Sequence, residues 1–194
     1  MGPRDFDPAA LGRRETDAWA AYYRRDWRGV LTASVAMVRL GFGMNWARTL
    51  RGAWFVLRAN QAWAPYPDND ADAARAQMRR FYALVARDGG LSLDPAVAAR
   101  LEVEWWRVHR ARQHGLHGTD SELVRALVDL YSYVYRVDRA SVTSAATHRV
   151  LAMAHSDAWV AAGCALTAPL LDLERAELVA SYTALLAAVR LPVR

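Results

Sequence analysis

The stretch Leu123-Val124-Arg125-Ala126-Leu127-Val128-Asp129-Leu130-Tyr131-Ser132-Tyr133-Val134-Tyr135-Arg136-Val137 decides the fold class. Leu123, Leu127, Leu130, Val134 and Val137 recur at steps of four and three. That spacing lines them up on one face of an α-helix, which must find an apolar partner. Just upstream, Thr119-x-x-Glu122 has the form of a capping box, so a helix over 120–136 has its start written in the sequence.

The same reading extends outward. Downstream, the segment 141–162 is apolar nearly all round, which marks a central helix. A helix over 169–190 carries Leu171, Leu178, Tyr182, Leu185 and Val189 on one face. Upstream, helices are expected over 8–28, 30–40, 46–61, 70–87 and 95–114. Asp7-Pro8 and Asp94-Pro95 each set a capping acid before a proline at the first helical position. Gly89-Gly90, Gly115 and Gly163 stand where helices should stop. Pro65 and Pro67 forbid helix between 64 and 69. Alternating strand patterns are scarce, and no linker or fixed-period repeat divides the chain. The expectation is an all-α protein: a single domain over 1–194, a bundle of seven to eight helices, with residues 1–7 as a flexible tail.

Composition narrows the function classes. Hydrophobic residues make up 54% of the chain and 20 side chains are Trp, Tyr or Phe, which suits a packed core rather than disorder. Lys and Ile are both absent, a mark of a GC-rich genome, so the 25 Arg are not evidence of phosphate recognition. They are spread along the chain and offset by 20 acids, whereas nucleic-acid binders gather their charge on one face, so no nucleic-acid partner is expected. Cys164 has no second cysteine to pair with and sits among small residues as a small buried hydrophobe. The first residues lack a signal-peptide pattern, and the longest uncharged apolar run, Gly29 to Val38, is too short to span a bilayer. A cytoplasmic protein without a transmembrane segment is expected. Phosphate-loop, nucleophile-elbow and Cys-x-x-Cys patterns do not occur, and Gly41-Phe42-Gly43 lacks the third glycine of a dinucleotide site.

One constellation can carry chemistry. Glu102 and His109 are seven residues apart, nearly two helical turns, so they share a face about 10 Å apart along the axis. His148 and His155 repeat the interval, with Trp159 one turn later. Carboxylates and imidazoles on facing helices are how bundles hold iron or manganese, and zinc takes the same donors. Asp129 is the candidate fifth ligand, giving the metal set Glu102, His109, Asp129, His148 and His155, with Trp105, Trp106 and Trp159 lining the pocket. On the four residues Glu102, His109, His148 and His155 the pattern resembles the haem-oxygenase-like di-iron oxidases. That resemblance implies a helical bundle with an iron site. The family also places a carboxylate between its two later histidines, where this chain reads Arg149-Val150-Leu151-Ala152-Met153-Ala154. The plainer account is that each His is a hydrogen-bonded core or boundary residue, that Glu102 pairs with an Arg, and that His114 and His117 are exposed.

Two further segments stand out. In 44–58, Trp46, Leu50, Trp54 and Leu57 form one stripe and Arg48, Arg51 and Arg58 another, as in helices that lie on anionic membranes and in ordinary solvent-facing helices alike. In the loop 60–70, Trp63 and Tyr66 are expected to plug onto the bundle while Asn69 or Asp70 caps the next helix. The functional expectation is a metal-dependent, di-iron-like oxidoreductase acting on an apolar or aromatic small molecule. The alternative is a non-catalytic binding or scaffold protein that offers Trp/Arg surfaces to a protein, a lipid surface in peripheral membrane contact, or a small ligand.

Overall fold

A computed structural model describes residues 2–116 and 118–190. Its elements are α1 (Pro8–Tyr23), α2 (Trp27–Phe42), α3 (Trp46–Trp63), α4 (Ala71–Asp88), α5 (Pro95–Gln113), α6 (Asp120–Tyr135), α7 (Arg139–Ala161) and α8 (Leu170–Arg190). The fold is an all-α bundle, and most helix starts have a local cause. Asp7, Asp26, Asn45, Asp70 and Asp94 accept backbone N–H groups of the first turns, and Thr119 with Glu122 completes the capping box.

The chain breaks where the sequence suggested one helix over 8–28. Asp26 competes successfully as an N-cap, accepting the Gly29 amide at 3.0 Å, so a new helix begins at Trp27. The cost is Arg25, a non-glycine residue at φ 60°. Its guanidinium holds the corner by donating to the Ala64 carbonyl at 2.9 Å and resting 5.8 Å from the rings of Tyr22 and Trp27.

The principal helix contacts form a closed circuit. Each helix packs on the one before and the one after it, and α8 packs back on α1. The circuit closes tightly at one point, because a Cβ on Gly12 would lie 2.6 Å from Val179 Cγ2 and 2.9 Å from its backbone nitrogen.

Residues 2–7, expected as a flexible tail, are instead fastened to the bundle. Phe6 is buried in the main core, and Arg4 donates to the Val189 carbonyl at 2.7 Å and to the Tyr135 carbonyl. Both carbonyls lie at the last turn of a described helix, where backbone acceptors lack an intrahelical donor, and they give the tail its anchor. Among the described residues no helix is long and apolar enough to cross a membrane.

Candidate functional site

Among the described residues a ring of eight helices leaves a central space, and here it holds a cavity of about 290 Å³. Every helix contributes to its wall. On α1 the contributors Glu15, Trp19 and Tyr22 are spaced four and three apart, one face of the helix. On α5 the same logic aligns Glu102, Trp105, Trp106, His109, Arg110 and Gln113. Most of the remaining lining is apolar, from residues such as Met37, Val38, Met78 and Leu127. A cavity of this size and character suits a small, largely apolar molecule.

Three polar groups interrupt the apolar wall. Glu102 accepts from Tyr82 Oη at 2.7 Å and from the indole nitrogens of Trp105 at 3.1 Å and Trp106 at 3.2 Å. Burial pushes its carboxyl above the usual range, partly offset by the Tyr82 hydrogen bond and the Arg149 charge. Tyr82 is itself pushed well up, first by burial and then by the neighbouring Glu102.

The second group is a buried ion pair. Arg149 grips Glu15 with both terminal nitrogens, one of them at 3.1 Å, and Tyr182 Oη donates to the same carboxylate at 2.7 Å. The guanidinium is flanked by Trp19 at 5.7 Å and Trp105 at 5.5 Å. Such a pair holds only when both charges are well bonded, and the aromatic faces add to the pairing.

The third group centres on Asp157. It accepts from Gln113 at 2.9 Å and Arg112 at 3.3 Å, and His109 Nε2 lies 3.2 Å from both its oxygens. His109 lines the cavity, so a carboxylate orients an imidazole at the wall. Beside it, Arg110 donates to Tyr22 Oη at 3.0 Å and the Trp63 carbonyl at 3.3 Å, its guanidinium 5.2 Å from the Trp63 ring and 5.6 Å from Tyr66. Tyr66 in turn stacks on the ring of His114, with centroids 3.7 Å apart.

The expected metal set does not converge. Glu102 and His109 both reach the cavity, but each is engaged by organic partners. Asp129 pairs with Arg139 at the surface. His148 Nδ1 lies 2.7 Å from Glu177 on α8, away from the cavity wall, and His155 is half-buried elsewhere on α7. Among the described residues no three His, Cys, Asp or Glu side chains gather as a metal would require. Trp105 and Trp106 line the cavity, whereas Trp159 is fully buried in a separate cluster with Ala20 and Leu171, its indole donating to the Ala165 carbonyl at 2.8 Å. Cys164 packs half-buried against that cluster. Trp63 joins the wall and Asp70 caps α4. His117 lies outside the described residues.

Glu15, Arg149 and Asp157 are functional candidates that no spacing pattern pointed to, and Tyr182 stood only as a member of a core stripe. One signal was present: Arg149 shares a helical face with Ala145, Ala146 and Met153, and a guanidinium on that apolar face demands an interior acid.

Comparison with known proteins finds no family model, no curated protein and no solved structure that matches this chain.

Proposed function

We propose that this protein binds a small, largely apolar or aromatic molecule in the central cavity. The observation that carries the reading is the cavity itself: an apolar chamber at the centre of the helix circuit, walled by Trp and Tyr rings and by a few bonded polar groups. Close packing is the default in protein interiors, so a space of about 290 Å³ lined mainly by rings and aliphatic groups favours a small apolar occupant. The wall has a polar side, where the Glu102 cluster and the His109 imidazole meet the apolar lining, and that asymmetry favours one orientation of such a molecule. A metal-dependent oxidoreductase draws less support, because Glu102 spends its oxygens on Tyr82 and two indoles, and His109 its Nε2 on Asp157. Acid–base chemistry on the bound molecule is a second reading, favoured by the orientation of His109 by Asp157.

Gly41 provides the test. It lines the cavity, and a Cβ there would meet only Leu11 methyls at 3.8 and 3.9 Å, an ordinary contact distance for the first carbon of a larger side chain. Calorimetric titration with indole, naphthol and medium-chain alcohols should show saturable binding of at least one probe. Gly41→Leu should weaken it by about tenfold or more while the helical spectrum is kept, since loss of about 1.4 kcal/mol of contact is a factor of ten. Absence of binding by every probe, or equal binding by Gly41→Leu, overturns the reading.

A further inference from the structure

We infer that the outer face of α3 docks on an anionic lipid bilayer. Trp46, Leu50 and Trp54 are 62%, 54% and 51% exposed. They stand at i, i+4 and i+8, an apolar row about 12 Å long on one side of the helix. Isolated exposed apolar residues need no explanation, but a contiguous row of two indoles and a leucine does.

Charge identifies what covers the row. From Trp27 to Pro67 the chain has no Asp or Glu and carries Arg28, Arg39, Arg48, Arg51 and Arg58. Those five positive charges equal the net charge of the whole chain, +5, so the remaining 20 Arg and 20 acids balance. Arg48 is neutralised by Asp88 at 2.8 Å. Among the described residues, Arg39, Arg51 and Arg58 have no carboxylate partner. Arg39 instead lies 5.0 Å from the Trp46 ring, Arg51 lies 5.7 Å from Phe55, and Arg58 donates to Gln61 at 2.8 Å.

An apolar row flanked by charges of one sign is the pattern of helices that lie in a bilayer interface. There indoles sit at headgroup depth and arginine stems reach back to phosphates. A protein partner's rim more usually mixes both signs and neutral hydrogen-bonding groups, and base readout in a nucleic-acid groove calls for polar side chains where this row has Trp and Leu. The surface acts independently of what the cavity holds.

Co-sedimentation of the full chain with vesicles of phosphatidylcholine, and of phosphatidylcholine with about 30% phosphatidylglycerol, tests it. Binding should be at least tenfold stronger to the anionic vesicles. It should fall about tenfold in Trp46→Ser/Trp54→Ser, and about fivefold for each arginine removed in Arg51→Gln/Arg58→Gln. All four positions are exposed, so thermal melts matching the unsubstituted protein confirm that the variants are folded. The inference is overturned by absent binding, by equal binding to both vesicle types, or by anionic binding that survives the double Trp substitution. It is also overturned if sedimentation equilibrium shows that the Trp row joins two copies of the chain, or if the same substitutions abolish binding to duplex DNA and leave vesicle binding intact.

Discussion

Glu174 shows how much a single side chain can set against the fold. It is fully buried on α8, and neither carboxylate oxygen has a well-formed hydrogen bond among the described residues. Burial, with the nearby Glu15 charge, pushes its carboxyl up to about 8, against a smaller opposing pull from the Ser156 hydroxyl. The sign of the consequence is fixed. Below pH 4.5 both folded and unfolded chains hold the proton, so the group is neutral to stability. Between 4.5 and about 8 the unfolded chain releases it and the folded chain keeps it, so stability falls as pH rises. Glu174→Gln removes the titration. In urea unfolding it should match the unsubstituted protein near pH 4 and exceed it by about 2–4 kcal/mol at pH 8, since each tenfold change in proton affinity is worth about 1.4 kcal/mol. A difference that does not grow with pH would show that this carboxyl is not held neutral by its surroundings.

At the scale of elements, two glycines make opposite statements about helix packing. Gly41 faces the cavity, where an added methyl would have ordinary van der Waals room, at 3.8 Å or more from its neighbours. Gly12 faces Val179, whose backbone nitrogen would lie 2.9 Å from such a methyl. Alanine is the better helix former at both sites by about 0.5–1 kcal/mol. Gly41→Ala should therefore raise the denaturation midpoint. Gly12→Ala should lower stability by about 1–3 kcal/mol, because α1 and α8 must move apart to admit the methyl. Chemical denaturation of the two variants side by side checks both signs. The helices themselves were legible, since periodicity and caps are local properties: Asp94-Pro95, Thr119-x-x-Glu122 and the Leu123 to Val134 stripe behave as their spacing implies. The α1–α2 corner was not, because apolar residues resume at Trp27 on the far side of Arg24-Arg25-Asp26, and part of what holds the turn, the Ala64 carbonyl on Arg25, lies far along the chain. The site was half legible for the same reason. The seven-residue interval put Glu102 and His109 on one face correctly. Whether His148 or Asp129 meets them depends on how each helix is rotated in the ring, and no local spacing carries that phase. Glu15 and Arg149 meet across 134 positions, beyond the reach of any pattern read along the chain.

For the whole molecule, the closed circuit of helices is the property from which the rest follows. The helices of the described residues, packed chiefly on their neighbours, enclose more space than aliphatic side chains fill, which is why the interior uses Trp and Tyr rings and still retains a cavity. A circuit also has no structural first or last element. The α8–α1 contact is as much part of it as any contact between helices joined by a loop. Arg4 on the Val189 carbonyl and Arg190 on Asp5 place residues 4–5 beside 189–190. The order of the helices along the chain should then matter less than their adjacency. A circular permutant that joins the two ends through a short glycine-serine linker and opens the loop between Asp68 and Asn69 keeps every neighbouring pair of helices, exchanging only the α3–α4 covalent link for one between α8 and α1. It should retain the helical spectrum and bind the same cavity probes, with stability within about 2 kcal/mol, since loop-closure terms change only slowly with length. If the permutant unfolds, or keeps its helices but loses the probe, then α3 and α4 are held together chiefly by their connecting loop, and the circuit is weaker there than the packing of the two helices implies.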